Sequence, residues 1–405
     1  MDARKRALRA DSERGRVMTS DTVTEVTKQS WFSRIGGAIK GVAFGFVLFV
    51  LAFPLLFWNE GRAVERQKTL EEGSGSVVSV AADSIDPAND GKLVHASGTA
   101  STVTTLTDSV FGVSASALKL KRTVEMYQWQ ESSTSETKDK IGGGQETVTT
   151  YSYATDWSST VVNSANFKEP TGHQNPGAMA YESEEFVADP VVLGAFTLSP
   201  SLVSMIGGYQ SLALPSDTPV PAALKYKAKL QGNGFYVGAN PSAPQVGDLR
   251  VTFELTPFAD VSVIAQQTGD TFVPYQAESG GTIQLLQTGI RTADEMIEAA
   301  EESNKVMTWV LRLVGLLLMF FGLTTVLRPL SVGADVLPVL GNLVGAGVGI
   351  ISFLIAAALS LTTIAIAWVF FRPVVGFIIL AVVVGLIVTI VLLVKSARQK
   401  VAAQA

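Results

Sequence analysis

The sequence predicts an integral membrane protein in which four transmembrane α-helices, one N-terminal and three C-terminal, bracket a β-dominated α+β extracytoplasmic domain. Three observations carry that reading. Uncharged apolar runs long enough to cross a bilayer, about 20 residues as helix, occur near the start and near the end of the 405-residue chain. Between them, short β-branched and aromatic runs are separated by Gly, Asn, Asp and Pro, the pattern of strands and turns. Charge is segregated: residues 1–40 hold nine Lys/Arg against five Asp/Glu, whereas residues 59–305 hold sixteen against thirty. The formal net charge of −5 therefore describes neither part.

In chain order, residues 1–34 form a basic tail and 35–58 the first span. Gly41 to Trp58 carries no charge and ends sharply at Phe57-Trp58-Asn59-Glu60-Gly61-Arg62. Trp58 then sits at headgroup depth, and Asn59, Glu60 and Arg62 fix the following domain on the membrane, with Glu60 and Arg62 expected to pair. The run is long for the apolar part of a signal peptide, and no small-x-small cleavage site follows it. Residues 59–305 make the domain. The second span, 306–327, is entered from a helix begun in water, because Thr292 and Glu295 have the spacing of a capping box. Within this span Arg312 lies about two turns past Lys305 and is expected to snorkel to the headgroups. Residues 328–340, with Asp335 and Pro338, read as an interfacial connector. Spans 341–371 and 374–394 follow, divided by Arg372-Pro373: Pro373 cannot continue the helical hydrogen bonding, and Arg372 marks a turn at the surface. Residues 395–405 close the chain with Lys395, Arg398 and Lys400. Basic flanks and an even number of spans place both termini in the cytoplasm.

Within the domain, Lys92–Thr99, Ala117–Gln130, Glu146–Trp157, Asp248–Leu255, Val261–Gln267, Thr271–Tyr275 and Thr282–Leu286 read as strands. Ala117–Gln130 and Glu146–Trp157 flank Asp139-Lys140-Ile141-Gly142-Gly143-Gly144, so they predict a long hairpin with a polar, mobile tip. In Val124-Glu125-Met126-Tyr127-Gln128-Trp129 the alternation buries one face and wets the other. Helix is confined to a short piece, Ser199–Met205, and to Ala293 onward.

Little in the chain points to chemistry. Cysteine is absent, which removes disulfides, thiolate catalysis and Cys-ligated metal centres. No Asn-x-Ser/Thr sequon occurs, since Pro241 blocks the one at Asn240. Phosphate-loop, dinucleotide, His-Glu-x-x-His and calcium-loop patterns are missing, so no cofactor and no metal is expected. Of the two histidines, His95 falls inside a strand and reads as structural. His173 lies in the loop Gly172-His173-Gln174-Asn175-Pro176, where a hydrolytic base would be accessible, although no Gly-x-Ser-x-Gly elbow marks a nucleophile. Glu182, Glu184 and Glu185 read as a solvated acidic face. The basic tail is too interleaved with acids to bind nucleic acid, and topology retention explains it.

The spans themselves carry one pattern. Gly37-x-x-x-Gly41-x-x-x-Gly45 and Gly341-x-x-x-Gly345-x-x-x-Gly349 each place three glycines on one helical face, which favours close helix association within the chain or between copies. Charges at mid-depth, the mark of a transporter core, are missing from 374–394 and from 341–371.

At Phe57-Trp58-Asn59-Glu60-Gly61-Arg62-Ala63-Val64 the chain resembles the transmembrane protein 43 family, also called LUMA. The likeness continues in register through Gly91-Lys92-Leu93-Val94-His95, Leu118 to Trp129, Thr150 to Trp157, Gly172 to Pro176, Val246-Gly247-Asp248-Leu249-Arg250-Val251 and Trp368 to Pro373, together covering roughly residues 40–395. The resemblance implies four spans with the large loop extracytoplasmic or lumenal. It also implies a non-catalytic role, since eukaryotic members are scaffolds of the endoplasmic reticulum and inner nuclear membrane that self-associate and organise other membrane proteins. A cysteine-free, sequon-free, Val/Ala-rich chain reads as a bacterial member, placed in the inner membrane with a periplasmic domain, the alternative for a eukaryotic chain being the endoplasmic reticulum or nuclear envelope.

The expected function is thus a membrane scaffold and not an enzyme. Its partners are the lipid bilayer, other copies of the chain and other membrane proteins. Gly37, Gly41, Gly45, Gly341, Gly345 and Gly349 would associate helices. Trp58, Asn59, Glu60, Arg62, Arg312 and Arg372 would lie at the membrane interface, and His173, Asn175, Asp248 and Arg250 would offer a domain surface. The alternatives are a membrane-anchored hydrolase using His173 and an accessory subunit of a transporter or channel, for which Arg312 is the residue to watch.

Overall fold

The computed structural model describes residues 21–374 apart from 225, 226 and 337, together with 376 and 378. The expected span at 374–394 therefore lies almost wholly outside the described residues, as do 1–20 and 395–405. The chain divides into a helical unit (Gln29–Gly98, Asp139–Gln145 and Val261 onward) and a sheet unit (residues up to Lys28, Thr99–Lys138 and Glu146–Asp260).

In the helical unit, α1 runs unbroken over Trp31–Ser76, started by Ser30, whose hydroxyl accepts from the Ser33 amide. Its 46 residues extend about 69 Å at 1.5 Å per residue, so α1 outruns the apolar segment 35–58 at both ends. A short α2, Pro200–Met205, belongs to the sheet unit. Helix α3, Ala293–Ala334, opens on a complete capping box: the Thr292 hydroxyl accepts from the Glu295 amide and the Glu295 carboxylate accepts from the Thr292 amide. It continues as helix through most of the expected connector at 328–340, and α4, Pro338–Phe371, begins four residues after its end. Trp31–Ser76, Ala293–Ala334 and Gly341–Phe371 are each long and apolar enough to cross a membrane.

The buried positions of these helices recur every seven residues. In α1 they are Ala38, Gly45, Ala52 and Asn59, with a second row at Leu56, Ala63 and Leu70; in α3 they are Thr308, Gly315 and Gly322. A seven-residue repeat keeps one seam facing its partner, and small residues in it let the backbones approach. A Cβ on Gly45 would lie 2.8 Å from the Gly322 carbonyl oxygen, and one on Gly322 would lie 2.7 Å from the Gly45 oxygen. Ala52, Leu56, Met319 and Ala356 fill the seam among the three helices. Outward, Phe44, Val50, Leu313, Phe321, Leu354 and Leu361 are exposed, as a lipid-facing surface requires. A second core, Leu70, Leu93, Ile264, Ile283, Met296 and Ile297, joins α1 and the start of α3 to strands, among them Ala259–Thr268, whose Val263 pairs with Leu286 of Leu285–Thr288.

In the sheet unit, the strands run in the order Asp21–Gln29, Gln145–Ser158, Lys119–Asp139, Leu249–Thr256, Gly234–Val237, Ala228–Gln231. The expected long hairpin is there, with Gly142 and Gly143 at φ 90° and 77° in its tip. Val124 faces Val251 and Met126 faces Leu249 across the central pair, and Phe111, Phe235 and Phe253 pack as mutual ring contacts on the buried face.

The strand Asp21–Gln29 departs from the sequence reading, which left it in a tail. It adds to the edge of Gln145–Ser158. One of these segments precedes the first apolar helix and the other follows it. An open-edged sheet cannot pair across hydrocarbon, so this pairing needs both segments on one side of the membrane.

Candidate functional site

The helical unit gathers its charged and amide side chains at one level. Glu60 on α1 is 1% exposed, and a carboxylate so deep must be paired to stay charged. Arg312 of α3 meets it with two parallel bonds, Nε to Oε1 at 2.7 Å and Nη2 to Oε2 at 2.8 Å. Trp368 of α4 donates its Nε1–H to Oε2 at 2.7 Å. One carboxylate thereby ties three helices. The Arg312 guanidinium also lies over the rings of Trp309 and Trp368, 4.8 and 5.7 Å from their centroids.

Amides and hydroxyls extend the node. Asn59 Nδ2 donates to the Thr308 carbonyl at 3.1 Å, and Asn304 Nδ2 donates to the Ala63 carbonyl at 3.0 Å. Arg62 donates to Asn304 Oδ1 and Thr308 Oγ1, each at 3.1 Å, and to Asn59 Oδ1 at 3.4 Å. Beyond α4, Arg372 donates to Gln67 Oε1 at 2.8 Å. A cavity of about 380 Å³ lies beside the node, lined by Glu60, Gln67, Arg312, Trp368 and Arg372 among others.

One expectation is corrected here. Glu60 pairs with Arg312, not with Arg62, because side chains two positions apart on a helix point to different faces. Arg312, expected at the headgroups, directs its guanidinium to Glu60 in two parallel bonds. Trp58, one position before Asn59, is 57% exposed and points out of the bundle.

The glycines separate. Gly45 packs against Gly322 and Thr325, and Gly41 lies 3.5 Å from Thr325 by its added Cβ, so both serve contacts inside the chain. Gly341 is closed off by Asp335, and Gly345 comes no nearer than 3.9 Å to Ser331. Among the described residues, Gly37 and Gly349 meet nothing within 4 Å. The first helical turn is held as well: Arg34 pairs with Asp335 and donates to the Gly143 carbonyl at 2.6 Å, Trp31 donates to the Val332 carbonyl at 2.9 Å, and the Gly142 amide donates to the Val336 carbonyl at 3.1 Å. The hairpin tip, expected to be mobile, is bonded at two of its glycines.

In the sheet unit, His173 is 3% exposed and stacks on Tyr153 at 4.0 Å between ring centroids. Its Nδ1 lies 2.8 Å from the Glu169 carbonyl oxygen and its Nε2 2.9 Å from Asp21 Oδ2. A hydrolytic base needs one ring nitrogen facing a nucleophilic hydroxyl; here a main-chain oxygen and a carboxylate take both. Asn175 closes the neighbouring loop, accepting from the Trp129 amide at 2.8 Å and donating to the Trp129 carbonyl at 2.9 Å. Asp248 accepts from the Gln245 amide at 2.8 Å and from the Tyr236 hydroxyl at 2.5 Å, and burial together with this carboxylate pushes the Tyr236 phenol up. Arg250 pairs with Glu125 and lies 4.9 Å over Trp157. His95, in the helical unit, is buried, with Nε2 2.9 Å from the Arg291 carbonyl. Among the described residues no group of three or more His, Cys, Asp or Glu is arranged to hold a metal.

Sequence reasoning missed several residues. Arg122 is buried between Asp108, at 2.5 Å, and Glu184, at 2.9 Å, so Glu184, exposed as a solvated acidic face requires, also pairs with a buried guanidinium. A charged residue on the buried side of an alternating strand was the available signal, since Leu120, Arg122, Val124 and Met126 share one face. Trp368, Asn304 and Thr308 were also passed over.

The family model described as Transmembrane protein 43 matches residues 126–373. Transmembrane protein 43 of Mus musculus is 39% identical over 364 residues, 87% of this chain and 89% of the relative. The Homo sapiens protein is 39% identical over 360 residues, covering 86% and 88%. The Drosophila melanogaster homolog is 33% identical over 353 residues, covering 82% and 89%. No solved structure matches.

Proposed function

Because the chain belongs to the transmembrane protein 43 family, we propose that it works as a non-enzymatic multi-pass membrane scaffold that self-associates and organises other membrane proteins or the membrane around it. The observation that carries this reading is the use to which the reactive groups are put. Both oxygens of the buried Glu60 are spent on bonds to α3 and α4, and both nitrogens of His173 face acceptors that hold the ring in place. Such groups build; they have no free atom to offer a substrate. Gly37 and Gly349 support contact between copies, because among the described residues nothing lies within 4 Å of a Cβ built on either, which leaves their backbone open to a partner helix.

The acidic balance of residues 59–305 and the basic flanks support an extracytoplasmic domain with cytoplasmic termini. The pairing of Asp21–Gln29 with Gln145–Ser158 opposes the N-terminal half of that assignment.

The reading is tested by sizing the full chain in mild detergent and by crosslinking it in its own membranes. Species larger than one chain, carrying other membrane proteins, are expected. A monomer in both measurements overturns the self-association.

A further inference from the structure

A second cleft of the helical unit has no part in joining α1 to α4. It encloses about 550 Å³ between α1, the first turns of α3 and the Leu285–Thr288 strand. Arg62 and Arg66, one turn apart on α1, line it together with Leu285, Leu286 and Met307. Its cations meet only neutral acceptors: Arg62 reaches Asn59, Asn304 and Thr308, and Arg66 Nη1 donates to the Thr282 carbonyl at 2.7 Å. Glu65 also lines the cleft, yet among the described residues neither guanidinium has a carboxylate oxygen within 4 Å. Arg62 Nε is buried with no hydrogen-bond partner. Two half-buried guanidiniums share this cleft with no carboxylate against them among the described residues, so an anion there would offset both charges. Near it on the same helices, Trp58 lies one turn before Arg62, and Val306 and Val310, beside Met307, are 60% and 49% exposed. The molecule that satisfies this lining is anionic at one end and apolar at the other.

We propose that this cleft binds the phosphate group of an anionic phospholipid, with Arg62 and Arg66 donating to the phosphate oxygens and the acyl end lying against Leu285, Leu286 and Met307. This goes beyond the scaffold reading and stands on the cleft alone. The test is native mass spectrometry of the full chain released from micelles holding equal amounts of phosphatidylglycerol and phosphatidylcholine. One retained phosphatidylglycerol is expected, favoured over phosphatidylcholine on the order of tenfold, the worth of one charge-assisted bond. Arg66→Gln should bring the two lipids to parity, as should Leu286→Trp, which fills the apolar end. Arg66 has one neutral bond to lose, so its variant separates lipid binding from the folding of the node, and an unchanged melting temperature verifies that separation. Equal retention of both lipids by the unaltered chain, or selectivity that survives Arg66→Gln, overturns the proposal. Displacement of the lipid by millimolar inorganic phosphate shows a free-phosphate site and overturns the lipid assignment.

Discussion

At the scale of single residues, the Glu60–Arg312 pair decides how the charged groups are read. Breaking a buried pair by removing one partner leaves the other charge unmet, at a cost of about 3–5 kcal/mol, whereas removing both costs less than the sum. Glu60→Gln and Arg312→Gln should each lower the melting temperature of the full chain in lipid nanodiscs. The double variant should recover part of the loss, a coupling of roughly 0.5–3 kcal/mol. Independent, additive losses would show that the two side chains do not act as a pair. Only half of this node was legible in the sequence. Glu60, Arg62 and Arg312 stand out as charges beside apolar runs, but their pairing does not, because Glu60 and Arg312 are 252 positions apart and local spacing favours the wrong partner. Trp368 was passed over because an interfacial Trp and a buried donor have the same sequence surroundings.

At the scale of elements, strands and caps were the easiest to read. Turn residues and alternation placed Glu146–Trp157 within one residue of Gln145–Ser158 at each end and the start of Lys119–Asp139 within two, although they ended that strand nine residues early at Gln130, and Thr292-x-x-Glu295 fixed the start of α3. Helix lengths were not legible, since hydropathy sees the apolar part of α1 and not the polar turns that carry it to Ser76. The small-residue repeat Thr308, Gly315, Gly322 was readable but hidden, being spaced by seven where the glycine faces noticed first are spaced by four. Its consequence is specific. Gly322→Leu has no room beside the Gly45 carbonyl and Phe49 backbone, whereas Gly349→Leu meets nothing within 4 Å among the described residues. Gly322→Leu should destabilise the chain by about 1–3 kcal/mol or more through overpacking, and Gly349→Leu by less than a third of that, as read by thermal unfolding in one detergent. Equal effects would show that α1 and α3 are not in contact at this crossing.

At the scale of the whole molecule, two questions are left to experiment: which side of the membrane each segment occupies, and whether copies associate. The absence of cysteine makes both approachable with single introduced thiols. Lys168 lies 2.7 Å from Glu25, and its hydrogen bond holds that carboxyl below the usual range, so the contact is intact at neutral pH and is lost as pH falls through the lowered value. The strand pairing predicts that a zero-length carbodiimide joins Glu25 to Lys168 in intact membranes, and that Glu25→Cys and Lys168→Cys are labelled from the same side. The charge pattern predicts no such crosslink and labelling of the two thiols from opposite sides. The central claim, that the chain is an assembling scaffold, is tested most directly by disulfide trapping of single cysteines in native membranes. Gly349→Cys, which nothing approaches within 4 Å among the described residues, should give a covalent dimer, while Ser360→Cys, buried inside the bundle, should not. A chain that stays monomeric at Gly349→Cys and at Gly37→Cys alike would contradict the account.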